Sequence, residues 1–155
     1  MTMTTTTILR SPLPIVFHVL VTTCRSRHVL MVRDEEGGGW MLPAGVAAPG
    51  RCLILTARQT LLDSTGYDRA VSEALAVSLD TDAGGTLNAL SYVLDGGETA
   101  DVPRHPHHLP PNAAWLPKRE LTHPPALVHR GMIAAAQHQK LPLLVNADRP
   151  EAAYT

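Results

Sequence analysis

The sequence predicts an α/β domain, a mixed sheet of apolar strands accompanied by two helices. Three observations carry that expectation. Residues 15–21, IVFHVLV, form a nearly continuous apolar run, the pattern of a strand covered on both faces. Residues 53–64 and 126–140 repeat apolar side chains at helical spacing. Between the first strand and the first helix, residues 40–50 change from apolar to Pro- and Gly-punctuated, as a strand-to-helix loop does.

Taken in order, residues 1–13 are a Thr-rich start without the basic and apolar regions of a signal peptide, and are expected to be disordered. Residues 14–33 read as a β-hairpin turning at Cys24-Arg25-Ser26-Arg27. Arg25, Arg27 and Arg33 are candidate anion contacts, with solvated turn and strand-end charges as the plainer reading. Residues 34–39, DEEGGG, read as a flexible acidic loop, exposed unless it folds back over a site. Trp40-Met41-Leu42 is a strand end, and residues 43–50 are a loop. The following helix carries a core stripe of Leu53, Ala57 and Leu61 with Ile54 beside it, and Gly66 stands where a positive φ stops a helix. Residues 70–79 and 87–94 are two further strands around an Asp80-to-Gly85 turn, with Glu73 facing solvent or, alternatively, a ligand. Residues 95–111 read as a Pro- and His-rich loop, followed by a strand through Trp115. The closing helix, residues 126–140, buries Leu127, Gly131 or Met132, and Ala135, leaving His129 and His138 outside. The domain is bounded at 14–141, and residues 142–155 are a tail ordered only where it docks on the body or on a second subunit.

The stretch WMLPAGVAAPGRCLILTARQTLLDSTGY, residues 40–67, resembles the Nudix box. That motif has a glycine, five residues, a glutamate, seven residues, an Arg-Glu pair, a hydrophobic residue, one residue, two glutamates, one residue, a glycine and a hydrophobic residue. Gly45, Leu61, Gly66 and Tyr67 occupy scaffold positions, flanked by Trp40, Leu42-Pro43, Pro49-Gly50 and Ala57. Trp115 and Glu120-Leu121 match the late part of the family pattern, so the resemblance spans residues 16–140. It implies an α/β/α sandwich with the box helix on one side of the sheet and the C-terminal helix on the other.

The chemical positions depart from the family. Arg51 stands for the first glutamate, Gln59-Thr60 for the Arg-Glu pair, and Asp63-Ser64 for the two late glutamates. Asn112 holds a loop position that often carries another glutamate. Family members hold Mg²⁺ on those carboxylates, a hard cation that needs oxygen ligands. Residues 60, 63 and 64 share one helix face but offer hydroxyl, carboxylate, hydroxyl, with an arginine nearby. No metal is therefore expected, and no cofactor except Mg²⁺ under ordinary hydrolase chemistry.

The candidate catalytic residues are Asp63, Cys52 and Gln59. Asp63 is a carboxylate free for acid–base work. Cys52 lies at a helix N-terminus, which favours a nucleophilic thiolate, against the plainer reading of a small buried cysteine. The candidate ligand-binding residues are Arg33, Arg51, Gly45, Trp40, His107 and Asn112. Arg33 is singled out because family members often carry a basic residue at this strand end. His105, His107 and His108 lack a convergent metal-ligand spacing, and stand as proton-transfer groups.

A net charge of −1 gives no electrostatic argument for nucleic acid or a membrane. Two cysteines are too few for a disulfide framework, which points to a reducing, cytoplasmic setting. The expected partner is a small ligand, anionic if the arginines face it, and the resemblance admits a homodimer. Three functions follow: Mg²⁺-dependent hydrolysis of nucleoside diphosphate-linked compounds, a metal-independent enzyme using the same cleft, or a non-catalytic binding or regulatory module. The second is the reading adopted, because the loop that faces a ligand keeps its shape residues while the metal ligands are gone.

Overall fold

The computed structural model describes residues 13–103 and 109–148. The Thr-rich residues 1–12, the three loop histidines and the last residues of the tail lie outside them. An eight-stranded mixed sheet runs in the order β3-β2-β1-β6-β5-β8, with β4 also on β1 and β7 also on β2. These strands are β1 (Ile15–Thr23), β2 (His28–Arg33), β3 (Trp40–Met41), β4 (Ala44–Ala47), β5 (Glu73–Thr81), β6 (Leu87–Thr99), β7 (Ala113–Pro117) and β8 (Leu144–Val145). Two helices, α1 (Leu53–Thr65) and α2 (Ala126–Ala136), cover the sheet. No helix among the described residues is long and apolar enough to cross a membrane.

The nearly continuous apolar run of β1 has the cause inferred from it. Phe17, Val19 and Val21 pack on one face with Ala57 and Leu61 of α1. Leu20 points the other way, into the cluster that holds Leu127, Val128 and Ala134 of α2. Alternate residues of one strand thus serve two cores, and the sheet is a layer between helices. Gly66 ends α1 at φ 80°, its N–H donating to the Leu62 carbonyl.

Several expectations are corrected. The segment 43–50 is not wholly loop: β4 pairs antiparallel with β1, from Ile15 opposite Ala47 to His18 opposite Ala44. Gly45 permits this, because a Cβ there would lie 2.9 Å from the Phe17 ring. The hairpin is consequently splayed. β1 shares one edge between β4 and β2, and pairs with β2 through Thr22 and Val29. Val32 and Arg33 at the end of β2 pair instead with β3.

The loop expected from residue 95 begins later, since β6 continues to Thr99 beside β1. Gly96 is buried against Val21, with no room for a side chain, and the register shifts between Leu20 and Thr22 to absorb the irregularity. Ile54 is 40% exposed instead of joining the stripe, and Thr65 is buried, its hydroxyl donating to the Leu61 carbonyl. α2 stops at Ala136, and Ala134 takes the buried place expected of Ala135. Glu73 faces outward and pairs with Lys140 at 3.2 Å. Within the segment read as a tail, Leu144 is buried and β8 lies parallel to β5.

Candidate functional site

A cleft of about 520 Å³ opens where β2 leaves β1. One wall is the end of β2 with Arg33 and the acidic loop behind it; another is α1, through Thr60, Asp63 and Ser64; Asn112 contributes a third. Backbone hydrogen bonds bring these together. The Arg33 N–H donates to the Asn112 carbonyl at 2.7 Å, joining the end of β2 to the turn before β7. The Asp34 N–H donates to the Gly39 carbonyl at 2.7 Å and closes the acidic loop. Gly39 packs so tightly on Thr122 that a Cβ would come within 2.6 Å, and the Trp40 N–H donates to the Thr122 hydroxyl at 3.2 Å. The Arg33 guanidinium lies 4.7 Å from the centre of the Trp40 ring, a cation–π contact that limits its wandering at the cleft mouth.

The helix face keeps the arrangement expected of its spacing. Asp63 is exposed, and its Oδ1 accepts a hydrogen bond from the Gln59 amide at 2.7 Å. The Ser64 hydroxyl donates back to the Thr60 carbonyl at 2.7 Å, so its proton is committed within the helix.

Of the residues singled out in the sequence, Arg33, Asp63 and Asn112 line this one cleft. Gln59 joins it through Asp63, and Trp40 through Arg33. Arg51 and Cys52 do not line it: both are exposed, and Cys52 caps α1 without a side-chain hydrogen bond. The small buried cysteine of the plainer reading is therefore not found. Gly45 is half-buried and works as a packing position under Phe17. His107, with His105 and His108, falls outside the described residues.

Two groups escaped the sequence reading as site residues. Asp34, Glu35 and Glu36 line the cleft, so the acidic loop borders it, with Asp34 Oδ1 accepting the Glu36 N–H within the loop at 3.0 Å. Asp34 and Met41 also line a second pocket of about 170 Å³, which contains His18, Trp40 and His123. Burial lowers the His18 pKa below the ordinary histidine value, so its imidazole is neutral near pH 7. The signal for His18 was present: it is the single polar side chain in the apolar run of β1.

Solved structures share the fold that carries this cleft. A NUDIX hydrolase from Nitrosomonas europaea superposes with a TM-score of 0.58 at 18% identity, covering 84% of this chain and 93% of its own. The fold is that of the Nudix hydrolases. An ADP-ribose pyrophosphatase from Streptococcus suis gives 0.56 at 9% identity, over 85% of this chain and 98% of that one. A UDP-X diphosphatase gives 0.60 at 16% identity, over 90% and 70% respectively. No family model matches the chain, and no curated protein matches it by sequence.

The Nudix resemblance implies Mg²⁺ on α1, and the donors present there do not fit it. The face offers one carboxylate, already engaged by Gln59, between two hydroxyls. Among the described residues no three His, Cys, Asp or Glu side chains converge as a metal-ligand set. A hard divalent cation held by the protein needs more oxygen charge than Asp63 supplies.

Proposed function

We propose that the protein is a Nudix-fold enzyme that acts on a small anionic metabolite in the β2–α1 cleft without a metal resident on α1. The observation that carries this reading is the composition of the cleft. Asp63 stands alone on the helix wall, while Arg33 and Asn112 line the same cleft from the sheet side. Arg33 supplies a fixed positive charge, backed by Trp40, that suits a carboxylate or phosphate oxygen. Asn112 offers a donor and an acceptor for orientation, and Asp63 is the proton acceptor, steadied by the Gln59 amide. The adjoining pocket, with its neutral His18 and the Trp40 ring, suits the less polar part of the same ligand. The fold's neighbours that act on ADP-ribose or UDP-linked compounds support an anionic substrate, by analogy of fold.

The test is calorimetric titration with Mg²⁺ and Mn²⁺, with and without ADP-ribose and UDP-sugars, alongside a phosphate-release assay and a metabolite panel in EDTA. The expected result is no saturable metal binding, no metal-dependent phosphate release, and turnover in EDTA that Asp63→Asn abolishes. Saturable binding without product in EDTA would make the protein a binding module.

One observation favours a second reading. Asp34, Glu35 and Glu36 line the same cleft as Asp63, an excess of negative charge that suits a cation arriving with a phosphorylated substrate. Mg²⁺-dependent phosphate release that survives Asp63→Asn and is lost in Asp34→Asn would establish it and overturn the first.

A further inference from the structure

The opposite end of β2 holds a second charged cleft, of about 330 Å³, lined by Thr23, Cys24, Arg25, Arg27, His28 and Asp101 together with Ala100. It lies five residues along the strand from Arg33, about 17 Å at the usual rise, and shares no lining residue with the site described above.

Its hydrogen-bonding capacity is unbalanced toward donors. Among the described residues, no carboxylate forms an ion pair with the Arg25 or Arg27 guanidinium. Two carboxylates lie at hand, and each accepts a backbone N–H. Glu98 Oε1 accepts the Arg25 backbone N–H at 3.0 Å, and Asp101 Oδ1 accepts the Val102 N–H at 2.8 Å. The Thr23 hydroxyl oxygen accepts the His28 backbone N–H at 3.0 Å, which fixes the start of β2. Arg25 sits in the left-handed region, at φ 61° and ψ 22°. Glycine or asparagine takes that conformation more readily, so the turn itself does not call for an arginine.

We propose that this cleft is a binding site for a phosphate monoester, gripped by Arg25 and Arg27 with His28 as a third donor. Two planar guanidinium forks match the tetrahedral phosphate oxygens, and neither is ion-paired with Glu98 or Asp101. Inorganic phosphate and glycerol 3-phosphate are soluble probes of the same chemistry, and phosphatidic acid presents it on a lipid surface.

The structure supplies its own reporters. Cys24 lies inside the cleft, while Cys52, also exposed, lies away from it at the start of α1. The experiment combines amide NMR of the full chain, titrated with inorganic phosphate against chloride at matched ionic strength, with N-ethylmaleimide alkylation. Saturable shifts confined to residues 23–28 and 100–101, and several-fold slower alkylation of Cys24 with Cys52 unchanged, are expected. Arg25→Gly with Arg27→Gln should abolish both effects without lowering the thermal midpoint, since glycine accepts the same backbone conformation. Glycerol 3-phosphate is tested by the same two readouts, and vesicles of phosphatidylcholine and phosphatidic acid by co-sedimentation. Sedimentation lost in the variant would assign the phosphate to a lipid headgroup; shifts without sedimentation would assign a soluble monoester. Absence of saturable shifts and sedimentation, equal effects of chloride, or effects that persist in the variant would overturn the proposal.

Discussion

The two faces of α1 differ in how closely they follow the Nudix pattern. Its sheet-facing side holds Ala57, Leu61 and Thr65, all fully buried, and meets Phe17, Val19 and Val21 of β1. Its cleft-facing side presents Thr60, Asp63 and Ser64. Packing tolerates few alternatives at close contact, so the first side keeps the geometry that builds the fold. The second side touches solvent, and its identity is free to change without loss of structure. A fold can therefore persist while the residues on one exposed face of a helix change.

Substitutions should separate the two faces sharply. Leu61→Ala is expected to cost about 2–5 kcal/mol of stability, measured by urea unfolding, because it opens a cavity between α1 and the sheet. Gly45→Ala should cost about 1–3 kcal/mol in the same assay, through overpacking against the Phe17 ring. On the cleft side, Asp63→Asn should change stability by no more than about 0.5 kcal/mol, while removing the proton acceptor proposed for turnover. A combined Arg51→Glu, Thr60→Glu, Asp63→Glu, Ser64→Glu variant sharpens the contrast: it should fold and gain Mg²⁺ binding by calorimetry. If it folds and binds no metal, the shape of the cleft, beyond its side chains, has also departed from the hydrolases.

A smaller effect concerns pH. The His18 pKa is lowered by burial from an ordinary 6.5, so the unfolded chain takes up a proton at a higher pH than the folded one. Stability should thus be unaffected by this group above pH 6.5, fall as pH drops below it, and level off under the lowered folded value. His18→Gln should flatten that portion of the curve, read as thermal midpoint against pH. Smallest of all, Arg58→Ala removes an exposed pair with Asp68 and should leave the midpoint within error.

Much of the fold was legible in the sequence because its signals are local. The spacing of Ala57 and Leu61, the stop at Gly66 and the apolar run of β1 each reflect nearby residues meeting one surface. β4 was hidden because Ala44-Gly45-Val46-Ala47 carries little strand character of its own; β1 imposes the pairing. Residues 95–99 were read as the start of a loop, yet Gly96 lets β6 run on close beside Val21. The site followed the same division. Asp63 could be placed on its helix face by counting, and Arg33 and Asn112 came from the resemblance. The position of Asp34, Glu35 and Glu36 could not be read, since Thr122, far along the chain, holds Gly39 and with it the loop.

The parallel pairing of β1 with β6 has a consequence for the protein's birth on the ribosome. β1 emerges first, but the neighbour that places it at the centre of the sheet begins at Leu87. Until that stretch has been translated, the apolar strand has one edge without its partner, and the box helix has no finished layer to settle on. Nascent chains arrested before residue 87 should accordingly be held by chaperones and cut readily by proteases, and the domain's assembly is paced by its middle.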